Sequence, residues 1–435
     1  MPRFILIEPS IEDWSGHHYE YAARLLRAAK TLGFEPIAAV NRVFIDKHNP
    51  DIRFMPVYRM GKRLVSNNIP FYYFARKIKN KIRSLRLAKD VSVVSEVSSR
   101  SLIKRLFGWR KSHAFASDTR RLFETLKLKH DDLIFMPTVS EYEVRGLVTY
   151  FKKNITVSSA WHLLFHSNIV VQNPQGEWIA CENREKLRKA FLALAPVIAN
   201  KSVFFYTDTK ELTDQYNDLK IFSFKTLPIP VDQSLHQEKV CKKSKPIRIS
   251  YVGDARAEKG YHYLPQLIND LWAEVVAGKI EFVIQSNFNI EEGEPQAIIA
   301  RALLEKFSRE HVTLLRDSLS PTAYRNLILE SDIILCLYDV RAYGARSSGI
   351  FAEALVAGIP VVVPEGSWMA GQLAGMKDEV ALTYQDPMFL ATCVRNIILQ
   401  YDAYLETVGY FSKQWGAYHN PMSLLAALEV SSKAN

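Results

Sequence analysis

The 435-residue sequence predicts an α/β protein of two doubly wound domains, each a parallel sheet with helices on both faces. Short apolar runs alternate with longer stretches whose apolar residues recur at helical spacing, the pattern of βα units. One polar, aperiodic stretch, 232–246 (DQSLHQEKVCKKSKP), interrupts the alternation and reads as a linker between blocks of about 200 residues. At 351–363 (FAEALVAGIPVVV) a helix ends at Gly358 and a wholly apolar strand follows without a loop, as expected where a helix lies over a parallel sheet.

Hydrophobic residues make up 48% of the chain, ample for two cores. Cys181, Cys241, Cys336 and Cys393 are scattered and form no C-x-x-C, which points to a reduced, cytoplasmic setting. The start, MPRFILIEPSIEDW, carries one basic residue and too short an apolar run for a signal peptide, and no stretch approaches a membrane span. The net charge of +10 is concentrated: 59–121 holds 17 Lys or Arg against three acids, leaving the remainder acidic.

In the first block, 3–8 (RFILIE) reads as a strand and 10–18 (SIEDWSGHH) as its loop. A helix over 19–31 places Tyr19, Ala22, Leu25, Leu26 and Ala29 on one face, and 35–40 is the second strand. Within 59–121 the residues Phe71, Phe74, Ile78, Ile82 and Leu85 recur at helical spacing among lysines and arginines, a basic amphipathic helix. A shorter one is expected at 102–110, with Phe107 and Trp109 as interfacial anchors. Such helices suit an anionic membrane surface; a solvated face or mobile insertion is the alternative, and no nucleic-acid-binding motif accompanies the charge. Alternation resumes with a strand at 132–136, a helix at 140–151 and a strand at 154–159, so that His162 and His166 follow that strand's carboxyl end, where open α/β sheets bind ligands. A helix at 182–195, a strand at 202–207, a helix from Glu211 and a proline-stiffened exit at 221–231 complete the block.

The second block opens with a strand at 247–252 and the loop GDARAEKG, 253–260, where Arg256 and Lys259 are placed to hold a diphosphate beside Gly253. Strands at 279–285, 312–315 and 333–338 alternate with helices at 295–309 and 321–330. The turn 343–349 (YGARSSG) then opens the helix that carries Glu353. Ser347, Ser348 and Gly349 bring free N–H groups, hydroxyls and the positive helix end to one spot, which suits a phosphate, and Glu353 lies just over one turn in, within reach of a neighbouring hydroxyl-bearing group. A helix at 368–376, a last strand at 380–384 and mostly helix over 387–418 follow.

This segment resembles the donor-binding region of GT-B glycosyltransferases, and most closely glycosyltransferase family 4, in FAEALVAGIPVVV and in the match of Lys259 and Gly260 to the family's G-R-x-x-x-x-K-G. The likeness implies two Rossmann-like domains facing a cleft: an N-terminal acceptor domain, 1–231, with the basic insertion at 59–121, and a C-terminal donor domain, 247–418. A final helix within 419–435 would cross back to the first domain. It implies retaining transfer from a nucleotide diphosphate sugar, with no cofactor or obligatory metal, to a glycan acceptor, and the basic segment at 59–121 adds a lipid-linked acceptor to that expectation. Arg256 and Lys259 would stabilise the leaving diphosphate, Glu353 would bind the ribose, and Ser347, Ser348, Gly349 and Ile350 would line the donor site. His162 would face the sugar, with a histidine hydrogen-bonded for structure as the alternative, while Gly16, His17 and His18 would lie on the acceptor side, with capping or ordinary exposed histidines as the alternative. Two departures stand out. Asp254 occupies the place of the family's arginine, and Ala345 that of its first, sugar-contacting glutamate, so sugar recognition would pass to Arg346 or Tyr343.

Overall fold

The computed structural model describes residues 1–14, 16–45, 51–61, 94–153, 159–173, 175–236, 246–288, 293–307, 310–374 and 383–433, leaving aside the side chains of 17 and 94–107. The helix expected at 71–85 and most of the linker lie outside these residues.

The first domain contains strands β1 (Arg3–Ile7), β2 (Glu35–Asn41), β3 (Arg53–Tyr58), β4 (Leu133–Met136) and β5 (Ala160–Phe165), a hairpin β6 (Val170–Gln172) and β7 (Trp178–Ala180), then β8 (Val203–Thr207) and β9 (Phe224–Thr226). Its sheet runs β3-β2-β1-β4-β5-β8-β9, all parallel. The helices are α1 (Gly16–Thr31), α2 (Val94–Leu126), α3 (Glu141–Lys153), α4 (Glu182–Ile198) and α5 (Lys210–Asn217). Burial explains the uninterrupted apolar runs: β1 and β4 are buried at every position, because helices cover both faces.

The second domain orders its strands β12-β11-β10-β13-β14-β15, also all parallel, as β10 (Ile247–Tyr251), β11 (Ile280–Gln285), β12 (Val312–Leu315), β13 (Ile333–Leu335), β14 (Val361–Pro364) and β15 (Thr383–Tyr384). Around them lie α6 (Leu264–Asp270), α7 (Trp272–Val276), α8 (Pro295–Leu304), α9 (Pro321–Glu330), α10 (Val340–Tyr343), α11 (Gly349–Val356), α12 (Trp368–Leu373), α13 (Leu390–Leu399) and α14 (Tyr401–Tyr418). Both sheets reverse their strand order beside the first strand, at β1/β4 and at β10/β13, the doubly wound arrangement whose ligands sit outside the carboxyl ends at the reversal.

The last helix, α15 (Pro421–Lys433), returns to the first domain. Leu424, Leu425 and Leu428 are buried there with Leu25, Leu26 and Ala29 of α1, each leucine contributing about 1.5–3 kcal/mol. His419 fixes the crossing: its Nδ1 accepts the Ile229 N–H at 3.0 Å, so the ring is neutral there, and burial pushes its pKa down to about 4. Among the described residues no helix is long and apolar enough to cross a membrane.

The structure corrects the first block at two places. Of the strand expected at 154–159 only Ser159 is among the described residues, and it precedes the strand found there, β5, which begins at Ala160. And the basic stretch does not run to 121 as an insertion: β3 and the carboxyl half of α2 belong to the core, with Phe115, Leu122, Phe123 and Leu126 buried and Gly146 of α3 admitting α2 so closely that a Cβ would stand 2.6 Å from Phe115. Arg59 pairs there with the buried Asp118 at 2.8 Å.

Candidate functional site

The loop after β10 is built around two glycines. Gly253 has φ +103, and a side-chain carbon there would stand 2.7 Å from Ile350 Cδ1 and 2.8 Å from Lys259 Nζ. Gly260 has φ +73 and is pressed against the Leu337 carbonyl. Only glycine fits either position, and the tight turn carries Lys259 into the sheet reversal between β10 and β13. Lys259 is buried with its Nζ 5.7 Å above the Tyr338 ring, and among the described residues it has no carboxylate within ion-pair distance. Burial, aided by the charge of Arg256, lowers its pKa to about 8. Arg256 reaches Glu258 at 2.9 Å, while its own Nε is buried without a hydrogen bond.

The facing side is the start of α11. Ser348 is its N-cap, the hydroxyl accepting the Phe351 N–H at 3.2 Å, and Gly349 is the first helical residue, beside open space. Ile350 packs against Gly253, and Tyr343 lies against Tyr338 with ring centroids 4.4 Å apart. Arg346 lies over the Tyr343 ring at 4.7 Å and 3.9 Å from Glu258. The structure therefore brings Gly253, Arg256, Lys259, Tyr343, Arg346, Ser348, Gly349 and Ile350 together.

Two predicted residues of this set are engaged with the first domain. Ser347 donates its hydroxyl to Asp208, at the carboxyl end of β8. Glu353, one turn into α11, accepts from Arg24 of α1 at 2.7 Å and from the Tyr324 hydroxyl at 2.7 Å. Burial pulls the Arg24 pKa down, but Glu353 more than offsets this and raises it.

On the first-domain side, Gly16 begins α1 with φ +81, and His18 Nδ1 lies 3.4 Å from the buried Glu8; the side chain of His17 is outside the described residues. His162 does not face the cleft. It is the third residue of β5, fully buried, with Nδ1 against the Tyr206 hydroxyl and Nε2 against Ser432 Oγ, both at 3.0 Å, and burial drives its pKa down to about 3. The displaced strand start is the reason, since it moves the carboxyl end of β5 to Phe165. His166 takes the position expected of His162: Nδ1 is 2.8 Å from Asp208 and Nε2 2.7 Å from the Pro137 carbonyl. Burial raises the Asp208 pKa, yet His166 and Ser347 bring it below the ordinary range.

Arg24, Tyr324, Tyr338, Asp208 and Glu258 were not singled out in the sequence. Glu258 lies inside GDARAEKG and carries a charge beside Arg256, a signal available there; the others sit in ordinary helical or strand contexts and become site residues only through the packing of distant segments.

No family model matches the chain, and no curated protein matches it. Solved structures do. Sucrose-phosphate synthase from Thermosynechococcus elongatus superposes with a TM-score of 0.64 at 12% identity, covering 100% of this chain and 99% of that one. Anabaena HepE in complex with UDP gives 0.58 at 10%, covering 99% and 100%, and the E. coli trehalose-6-phosphate structure bound with UDP-2-fluoro glucose gives 0.61 at 12%, covering 99% of each. At this identity the likeness is one of fold, and the chain has the GT-B fold: two Rossmann-like domains whose strand ends meet across a cleft.

Proposed function

We propose that the protein transfers a glycosyl group from a nucleotide diphosphate sugar to a glycan or lipid-linked acceptor. The observation that carries this reading is Lys259, a buried ammonium with no carboxylate pair among the described residues, held by two obligatory glycines at the strand reversal of a Rossmann-like domain. Burying such a charge is costly unless an anion joins it. Arg256, with an unused Nε–H, and the opening turn of α11 at Ser348 and Gly349 surround the same space, so a diphosphate would meet cations and N–H donors together. As the bond from the anomeric carbon to the diphosphate breaks, negative charge grows on the leaving oxygens, and this cluster stabilises it. Glu353 would take the ribose hydroxyls on the lone pairs that Arg24 and Tyr324 leave, with uridine as the first base to try, given the nucleotides bound by HepE and the E. coli protein. Retention, transfer without a metal or cofactor, and contact with an anionic membrane through the basic stretch at 59–121 belong to the same proposal.

A second reading, a non-catalytic nucleotide-sugar-binding or scaffold protein of this fold, draws on Ala345. The position where the resemblance places a sugar-contacting glutamate is instead buried against the first domain, its carbonyl accepting from Thr209 at 2.6 Å. Release of nucleoside diphosphate from a panel of UDP-, GDP- and ADP-sugars separates the two. Turnover with one donor, falling by about 10²–10³ in Lys259→Ala, is expected for the enzyme; tight binding of a donor with no release under any acceptor would favour the scaffold.

A further inference from the structure

Glu353, the carboxylate proposed for the ribose, is not held by its own domain alone. It is buried on α11, and among the described residues each of its oxygens has one partner: Oε1 accepts from Arg24 Nη2 and Oε2 from the Tyr324 hydroxyl, both at 2.7 Å. Tyr324 lies on α9 of the same domain, whereas Arg24 lies on α1 of the first. The Arg24 and Glu353 side chains are only 18% and 9% exposed, so removing either one leaves the other charge largely buried without its partner. Burial lowers the Arg24 pKa, and Glu353 and then Asp232 bring it above the ordinary value. Asp232 opens the linker and stands 3.5 Å from Arg325, the neighbour of Tyr324. The pair therefore sits beside the segment that joins the two domains.

What the pair does to a ligand follows from the lone pairs. A carboxylate oxygen offers two, and with one occupied by each anchor Glu353 keeps one free on either oxygen. Two adjacent hydroxyls, such as those on C2′ and C3′ of a ribose, can donate to them together. Arg24 and Tyr324 fix the plane in which those lone pairs lie. Without Arg24 the carboxylate has a single anchor, and its side chain regains rotamers that a two-hydroxyl contact must freeze again.

We propose that Arg24 is a positioning residue of the donor site: reaching from the first domain, it holds Glu353 in the orientation that takes both ribose hydroxyls, so that the ribose subsite is built by the two domains together. The proposal rests on the assignment of Glu353 to the ribose made above. A role in the fold alone would weaken every ligand alike, whereas positioning of Glu353 concerns only ligands that carry the two hydroxyls.

Titration calorimetry on the full chain with UDP, 2′,3′-dideoxy-UDP and pyrophosphate tests this, with GDP or ADP and its dideoxy form in their place if one of those is the nucleotide that binds. All three ligands offer a diphosphate to the cluster around Lys259, but only UDP offers two hydroxyls to Glu353. The native chain is expected to prefer UDP to its dideoxy form by about tenfold or more, the effect of hydrogen bonds to a charged acceptor. Arg24→Gln is expected to cut that preference severalfold while the affinities for dideoxy-UDP and pyrophosphate stay as they are. Arg24→Lys, which keeps the charge without the planar fork, is expected to retain part of the preference, and it carries the test if the glutamine variant fails to fold. An undiminished preference in the variants, or an equal weakening of all three ligands, overturns the proposal and leaves the nucleotide-sugar reading standing. Failure of every nucleoside diphosphate to bind the native chain overturns that reading and the inference with it.

Discussion

Lys259 sets the chemistry of the site at the scale of a single residue. Its ammonium is kept from water by the turn between Gly253 and Gly260, and burial lowers its pKa to about 8, so near neutral pH the free protein already carries a cation whose charge is only moderately favoured. A diphosphate prefers the protonated form, and bound anion in turn favours protonation. Nucleoside diphosphate affinity is therefore expected to be full below pH 8 and to fall as pH rises through it, whereas Lys259→Arg, which stays charged, keeps its residual affinity flat over the same range. Titration calorimetry between pH 7 and 9.5 measures this; an identical decline in both proteins would place the titrating group elsewhere. Asp254, in the place of the family's arginine, has a structural role instead: it accepts from Asn287 at 2.8 Å and ties the loop to the segment after β11.

Among the elements, β5 and α2 show what the sequence carries and what it hides. The second domain was readable because its strands are short, mostly apolar and bounded by turn residues; the bounds expected for β12 and α9 agree with those found. In the first domain the apolar run of β5 is preceded by NITVSS, itself of strand-like composition, and composition alone does not decide which run pairs with β4 and β8. Packing does, since Trp161, Leu163 and Phe165 fill the core under α3 and α4. The core face of α2 had a sequence signal, Phe115, Leu122, Phe123 and Leu126 at helical spacing, masked by the surrounding lysines and arginines. Placing His162 inside β5 has a measurable consequence. Its folded pKa, about 3, lies below the ordinary 6.5, so between these values the unfolded chain binds a proton that the native ring refuses. Stability contributed by the neutral ring is full above about pH 6.5 and is lost as pH falls, at ~1.4 kcal/mol per pH unit from one such group. Urea unfolding between pH 7 and 5 is expected to show a shallower pH slope for His162→Gln than for the native chain. Equal slopes would contradict the burial of an uncharged ring.

The two domains are joined by contacts across the cleft and by the returning last helix. Ser347 meets Asp208, Thr209 meets the Ala345 carbonyl, Asn168 meets the Ala342 carbonyl, and Arg24 meets Glu353, while α15 fastens the second domain's end to α1. None of the four hydrogen-bonded pairings was apparent in the sequence, because each joins residues more than 100 positions apart, whereas a final helix crossing back to the first domain was expected. The Arg24–Glu353 pair matters most, since it links the proposed ribose carboxylate to the first domain, and whatever binds Glu353 is felt by both. Thermal unfolding of the native chain and of Glu353→Ala with UDP, GDP and ADP tests the central claim most directly. A nucleotide at 100 times its dissociation constant adds about 2.7 kcal/mol of stability. The account predicts a clear rise in Tm with one nucleoside diphosphate for the native chain and its near disappearance in Glu353→Ala. No rise with any of the three, or the same rise in both proteins, would contradict it.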